Sequence, residues 1–239
     1  LVLATACHLA HAQESQRRFK ILQPEEMTPE QQSLVKSISS GPRASVAGSA
    51  ANSSNGSLGS PFNVFLRSPE LGESLQQVGS YIRFKSSLGP RLTEFAILIV
   101  ARDWTAQYEW YAHRQIGERE GLSKELCDTL ARGEKPKMDA DQSIIFDFTT
   151  QMLKQHEVDD ATFARMKDRF GEKGVLDLIY LVGHYCTVAF ILNIDRHPLP
   201  AGVALTASSG LIAAGTPTAA LPVSPASPCA SGAPARTSR

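Results

Sequence analysis

RLTEFAILIVARD, residues Arg91 to Asp103, is the stretch on which the fold class turns. Its middle, Phe95 to Ala101, is an unbroken apolar run with β-branched Ile97, Ile99 and Val100, a composition that suits a buried strand as well as a buried helix. Its neighbours decide for the helix. Gly89-Pro90 interrupts the chain just before it, and Thr93-Glu94 supplies a cap-like residue and an early acid from which the apolar run can open as a helix. An all-round apolar helix belongs at the centre of a bundle.

Working outward, the same helical grammar recurs. Ser68-Pro69-Glu70 offers an N-cap, a first-turn proline and an acid, and Leu71, Leu75, Val78 and Ile82 follow at three- and four-residue spacing as an expected core stripe to about Ser86. Tyr108 to Gly121 reads as the next helix, and Ser123 caps another that runs to Gly133. Further helices are expected over Asp141 to Val158, over Asp160 to Phe170 with its stop at Gly171, and over the apolar Val175 to Ile194. This last segment has the length of a membrane span, but Asp177, His184, Asn193 and Asp195 interrupt or flank it, so the expectation is the central helix of a bundle with no membrane span. No segment alternates as a sheet strand does. The class is all-α.

The 239 residues, 42% hydrophobic and 20% charged, suit one domain with tails. Twenty-four basic residues balance twenty-four acidic ones, which argues against a nucleic-acid partner and favours a small molecule. Residues 1–12 end in Ala10-His11-Ala12 and read as the remnant of a signal peptide, with a periplasmic or secreted location, or a cytoplasmic one if they are no signal. Residues 13–60 form an N-terminal extension whose part 41–60, rich in Gly, Ser, Ala and Asn, reads as a flexible loop. Residues 61–200 carry the domain, and 201–239 read as a disordered low-complexity tail. Cys7, Cys127, Cys186 and Cys229 have no metal-ligand or Cys-x-x-Cys spacing, and no metal is expected.

One helix carries the chemistry. Ala106, Glu109 and His113 are spaced by three and four and share a stripe, while Trp110 and Tyr111 point elsewhere and can anchor the helix in apolar surroundings. Glu109 and His113 read either as an acid/base pair or as an ordinary i,i+4 ion pair worth about 0.2–0.5 kcal/mol. Glu94, at the mouth of the preceding helix, can be folded over the same face by an antiparallel hairpin.

Arg91-Leu-Thr-Glu94-Phe-Ala-Ile-Leu, Tyr108-Glu109-Trp110-x-x-His113, Gly121-Leu122-Ser123, Asp160-x-x-Phe163 and Phe170-Gly171 together resemble the core pattern of the carboxymuconolactone decarboxylase family, which includes the AhpD-like alkylhydroperoxidases. The resemblance spans about residues 61–200 and implies an antiparallel helical bundle assembled as a homotrimer or hexamer. Its peroxidase branch carries a glutamate, a Cys-x-x-Cys and a histidine. The first and last fall on Glu94 and His113, but the cysteine positions are Ala106 and Glu109, so the disulfide chemistry of a hydroperoxide reductase lacks its thiols.

The decarboxylase branch implies a reaction that uses no cofactor, on a small carboxylated lactone or related ring-cleavage product. In that reading His113 donates or accepts the proton, Glu109 orients it, Glu94 is a second acid/base group, and Arg91 or Arg102 holds the substrate carboxylate. Trp110, His184 and Tyr185 complete the candidate substrate-binding set. Two other functions stay open: hydroperoxide reduction, and a non-catalytic helical oligomer that binds a small molecule.

Overall fold

The computed structural model of the chain describes residues 17–45 and 56–206, and the signal-peptide reading, the middle of the 41–60 loop and most of the tail after 201 lie outside them. The described residues form eight helices and no strand. In chain order they are α1 (Pro29–Ser40), α2 (Phe62–Phe65), α3 (Pro69–Lys85), α4 (Pro90–Asp103), α5 (Gln107–Arg119), α6 (Lys124–Ala131), α7 (Ala140–Gln155) and α8 (Asp160–Asp195).

The deciding stretch is α4, and it is the hub. Leu92 to Ala101 are all buried, and α3, α5, α6, α7 and α8 pack around it. Each large apolar side chain so buried contributes roughly 1.5–3 kcal/mol, so α4 anchors the bundle. It opens earlier than Thr93-Glu94 suggests. Gly89, at φ 75°, turns the chain into Pro90 at the first helical position, which leaves Thr93 and Glu94 buried on the inner face of the first turns.

Several helix limits follow local signals. The Ser123 hydroxyl accepts the Leu126 N–H, and the Asp159 carboxylate accepts the Thr162 N–H. Asp139, two residues before the expected start at Asp141, caps α7 by accepting from the Gln142 N–H. Gly171, at φ 69° and ψ 175°, breaks α8 where the sequence places the stop. Ser68 precedes α3 without a side-chain cap bond. α8 is long and apolar enough to cross a membrane, and half of its most apolar window is buried in the bundle.

Two expectations are corrected. The stripe Leu71, Leu75, Val78 and Ile82 is not the core face of α3: Leu71 and Val78 are exposed, and the helix buries Gly72, Gln76, Gly79 and Ile82. The reason is close approach. A Cβ on Gly72 would stand 2.8 Å from Leu34 Cδ2 and from the Phe65 carbonyl, and the side chains of His184 and Arg43 crowd Gly79 in the same way. Backbone contact at glycines sets the rotation of this helix against the pull of its apolar stripe. The second correction concerns the ends of 41–60. Arg43, in a 3₁₀ turn over Pro42–Ser45, is buried, and so are Leu58 and Ser60.

The N-terminal extension is likewise docked. α1 starts at a reciprocal capping box between Thr28 and Gln31 with Pro29 in the first turn, and Leu34 and Ile38 bury against Met27, Leu58, Phe62, Phe65 and Leu66 as a second core beside the main one. The sequence reading assigned no helix here, although the Thr28-Pro29-x-Gln31 signature and the Leu34, Val35, Ile38 spacing mark one.

Candidate functional site

α4 and α5 are joined by only Trp104, Thr105 and Ala106, so they run antiparallel and the first turns of α4 lie beside the middle of α5. This brings Glu94 to His113: the imidazole Nδ1 and the Glu94 Oε2 are 2.6 Å apart. The other Glu94 oxygen, Oε1, is 3.6 Å from Arg83 Nη2 of α3. The His113 partner is therefore Glu94 and not Glu109. Because Nδ1 faces the carboxylate, Nε2 is the basic nitrogen of the neutral ring.

His113 lines a cavity of about 160 Å³. A space of that order holds one six-membered ring. Glu109, Tyr111, Ile116 and Tyr108 contribute from α5 and His184, Tyr185, Val188 and Leu192 from α8, while Gln76 and Arg83 come from α3. Arg43, Ser60, Phe62 and Phe65 close the wall nearest the N-terminal segment. Tyr185 stands edge-on to both His113 and His184, with ring centroids 5.1 and 5.3 Å away, and fixes the two imidazoles around itself.

Several polar atoms at this cavity have no hydrogen-bond partner among the described residues. Neither oxygen of Glu109, 1% exposed, has one, nor have the Nε atoms of Arg43 and Arg83 or the Nδ1 of His184. Buried polar groups are seldom left so, and a cluster of them around one space is the mark of a polar ligand site. Burial pushes the Glu109 carboxyl well above its ordinary range, so it is a proton-bearing group. Burial, then the charges of Arg43 and His113, brings His184 down to about 4, so it is a neutral ring. Burial lowers Arg43 to about 10, which still leaves it cationic at neutral pH.

Glu109, His113, His184 and Tyr185 thus meet at the cavity, with Glu94 behind His113. Arg91, Arg102 and Trp110 do not. Arg91 pairs with Asp139 at the surface, Nη1 to Oδ2 2.8 Å. Arg102 Nε donates to the Ala131 carbonyl at 2.8 Å. Trp110 is buried in the main core. Tyr111, read as pointing elsewhere, is in the cavity wall. The three arginines that line the cavity, Arg43, Arg83 and Arg119, all escaped the sequence reading. Arg83 lies on the expected α3, four residues from Gly79, but nothing local marks it; Arg43 sits in a Gly/Ser-rich stretch whose composition says nothing of docking.

Among the described residues no group of three His, Cys, Asp or Glu is placed to hold a metal. The two cysteines there are free, and burial raises the thiol of Cys127 to about 11 and also raises that of Cys186. Set against family models, curated proteins and solved structures, the chain matches none.

Proposed function

We propose that the chain is an acid/base enzyme like those of the carboxymuconolactone decarboxylase family, needing no cofactor, that removes CO₂ from a small carboxylated lactone or related ring-cleavage product. One observation carries this reading: an imidazole held by Glu94 at 2.6 Å and an unpartnered, proton-bearing Glu109 carboxyl face the same ring-sized cavity. Loss of CO₂ breaks one C–C bond and leaves its electron pair on the lactone as an enolate. The Glu109 carboxyl delivers the proton to carbon, and His113, on the same stripe of α5, takes up a proton from water at Nε2 and passes it to the Glu109 carboxylate, so each turnover consumes one solvent proton and releases one CO₂.

Thiol-dependent hydroperoxide reduction has no comparable support, since thiols raised by burial are poor nucleophiles at neutral pH. Assembly as a homotrimer or hexamer belongs to the same proposal. Val78 and Tyr81 of α3 and Leu176 and Tyr180 of α8 line one open groove, and all four are exposed apolar side chains of the kind that subunits cover.

The test is release of CO₂ from carboxymuconolactone by the metal-free protein, followed by loss of substrate absorbance. Turnover that disappears in His113→Ala supports the reading. Binding of the lactone without turnover assigns the non-catalytic small-molecule role instead.

A further inference from the structure

Besides the acid/base groups, the cavity wall includes a part built where the N-terminal segment meets α3, with Arg43 and Gln76. There Arg43 donates from Nη2 to the Gln76 carbonyl at 3.4 Å, and its guanidinium lies 5.2 Å from the centre of the Phe62 ring. Among the described residues no carboxylate lies within ion-pair distance of it, although the residue is only 6% exposed. A buried guanidinium without a counter-charge is expensive, and its Nε–H has no protein acceptor.

Gly79 makes room for this part. A Cβ there would stand 2.5 Å from His184 Nε2 and 2.6 Å from Arg43 Nη2, so the imidazole and the guanidinium sit side by side over a bare stretch of helix backbone. His184 contributes a neutral ring, so the local charge is that of Arg43. The remaining wall, Phe62, Phe65 and Leu75, is apolar.

We infer that Arg43, with His184 beside it over Gly79, is the subsite that receives the carboxylate of a ring-sized ligand, and that the N-terminal segment is therefore part of the binding site. The planar fork of an arginine matches a carboxylate through two parallel N–H bonds, which a lysine in its place cannot do. The apolar walls take the ring. Selection for a carboxylate thus resides in a residue that lies before the helical body of residues 61–200. The inference rests on reading the cavity as the substrate site, but not on the acid/base step.

Benzoate is the probe: one ring, one carboxylate. Titration calorimetry and thermal shift on the full chain should show saturable benzoate binding, with benzamide and inorganic phosphate far weaker. Arg43→Gln should weaken benzoate about tenfold or more, the loss expected for one charge-assisted pair, and Arg43→Lys should recover only part of it. Arg91→Gln should bind as the parent does. Arg43→Lys also guards against a folding artefact, because it keeps the charge and most of the side chain; an unliganded thermal midpoint at the parental value together with weakened benzoate places the loss in the missing planar fork and not in the fold.

No benzoate binding by the parent, equal binding by Arg43→Gln, or equal stabilisation by benzamide or phosphate would each overturn the subsite. Benzoate binding with the expected Arg43 dependence, but no lactone turnover by the parent, leaves the subsite standing and removes only the decarboxylase.

Discussion

Among the described residues two carboxylates, Asp195 and Glu109, are no more than 1% exposed, and their surroundings are opposite. Asp195, at the end of α8, is 0% exposed and saturated: Arg17 Nη2 pairs with its Oδ2 at 2.6 Å, the Ser60 hydroxyl donates to the same oxygen at 2.9 Å, and the Phe19 N–H donates to Oδ1 at 3.0 Å. Arg17 also reaches the Ser60 hydroxyl. Glu109, 1% exposed, has no partner for either oxygen. The first arrangement is a clasp that ties the N-terminal segment to the last helix. The second is a group held ready for something else. Burial alone does not distinguish them; satisfaction does.

The largest effect expected from breaking this contrast is on turnover. His113→Ala removes the proposed proton relay and the nearer partner of the buried Glu94, which keeps Arg83 at 3.6 Å, so some stability is lost with it, while lactone decarboxylation should fall by about 10²–10⁴-fold, the range of a lost general acid/base. Measured activity within tenfold of the parent would move the chemistry away from this histidine.

Next comes the clasp. Asp195→Ala leaves Arg17, 5% exposed, as a buried charge without its counter-ion, and removal of one partner of a buried pair costs about 3–5 kcal/mol. Urea unfolding should show that loss, and proteolysis near residue 17 should accelerate. A change below about 1 kcal/mol would mean that water replaces the pair, placing it with ordinary surface ion pairs.

How far these two carboxylates could be told apart from the sequence is instructive. The helix class, the break at Gly171 and the cap at Ser123 follow from local signals, and so they were legible. The shared stripe of Glu109 and His113 was legible too, because helical periodicity is local. What periodicity cannot supply is a partner on another element: it set Glu109 beside His113, yet the antiparallel crossing of α4 gives that place to Glu94. Asp195 read only as a polar flank of an apolar helix, since Arg17 and Ser60 are far away in the chain. The burial of Arg43 and the rotation of α3 depend on tight contacts at Gly72 and Gly79, and a stripe analysis ranks glycines as featureless.

A smaller effect sharpens the contrast from the side of Glu109. Its folded-state pKa lies above the ordinary 4.5, so the proton it holds when folded is one the unfolded chain releases as pH rises. Its favourable contribution is complete below about pH 4.5 and is lost progressively above it, at up to about 1.4 kcal/mol per pH unit, until the folded value is reached. Glu109→Gln keeps the shape and removes the titration. The variant should therefore be more stable than the parent at pH 7 by a few degrees in thermal midpoint, and indistinguishable from it near pH 4. An equal difference at both pH values would show that Glu109 ionises in the fold without cost. Asp195→Asn offers the mirror case, because there the amide gives up a counter-ion to Arg17, and it should destabilise at neutral pH.

The smallest effect belongs to the residue that the sequence put forward as a carboxylate clamp. Arg91 and Asp139 meet at 2.8 Å, but their side chains are 36% and 47% exposed, so each is solvated whether or not the other is present. An exposed pair of this kind is worth about 0–1 kcal/mol and weakens further with salt. Arg91 also lies off the cavity wall that Arg43 and Arg83 provide. Arg91→Gln should then shift stability by less than about 1 kcal/mol, lose even that shift in molar salt, and leave both benzoate affinity and lactone turnover at parental values. A loss of affinity without a loss of stability would restore Arg91 as the clamp. It would also mean that an exposed arginine already paired with Asp139 outcompetes a buried one with no carboxylate partner among the described residues for the same anion, against the desolvation argument that separates Glu109 from Asp195.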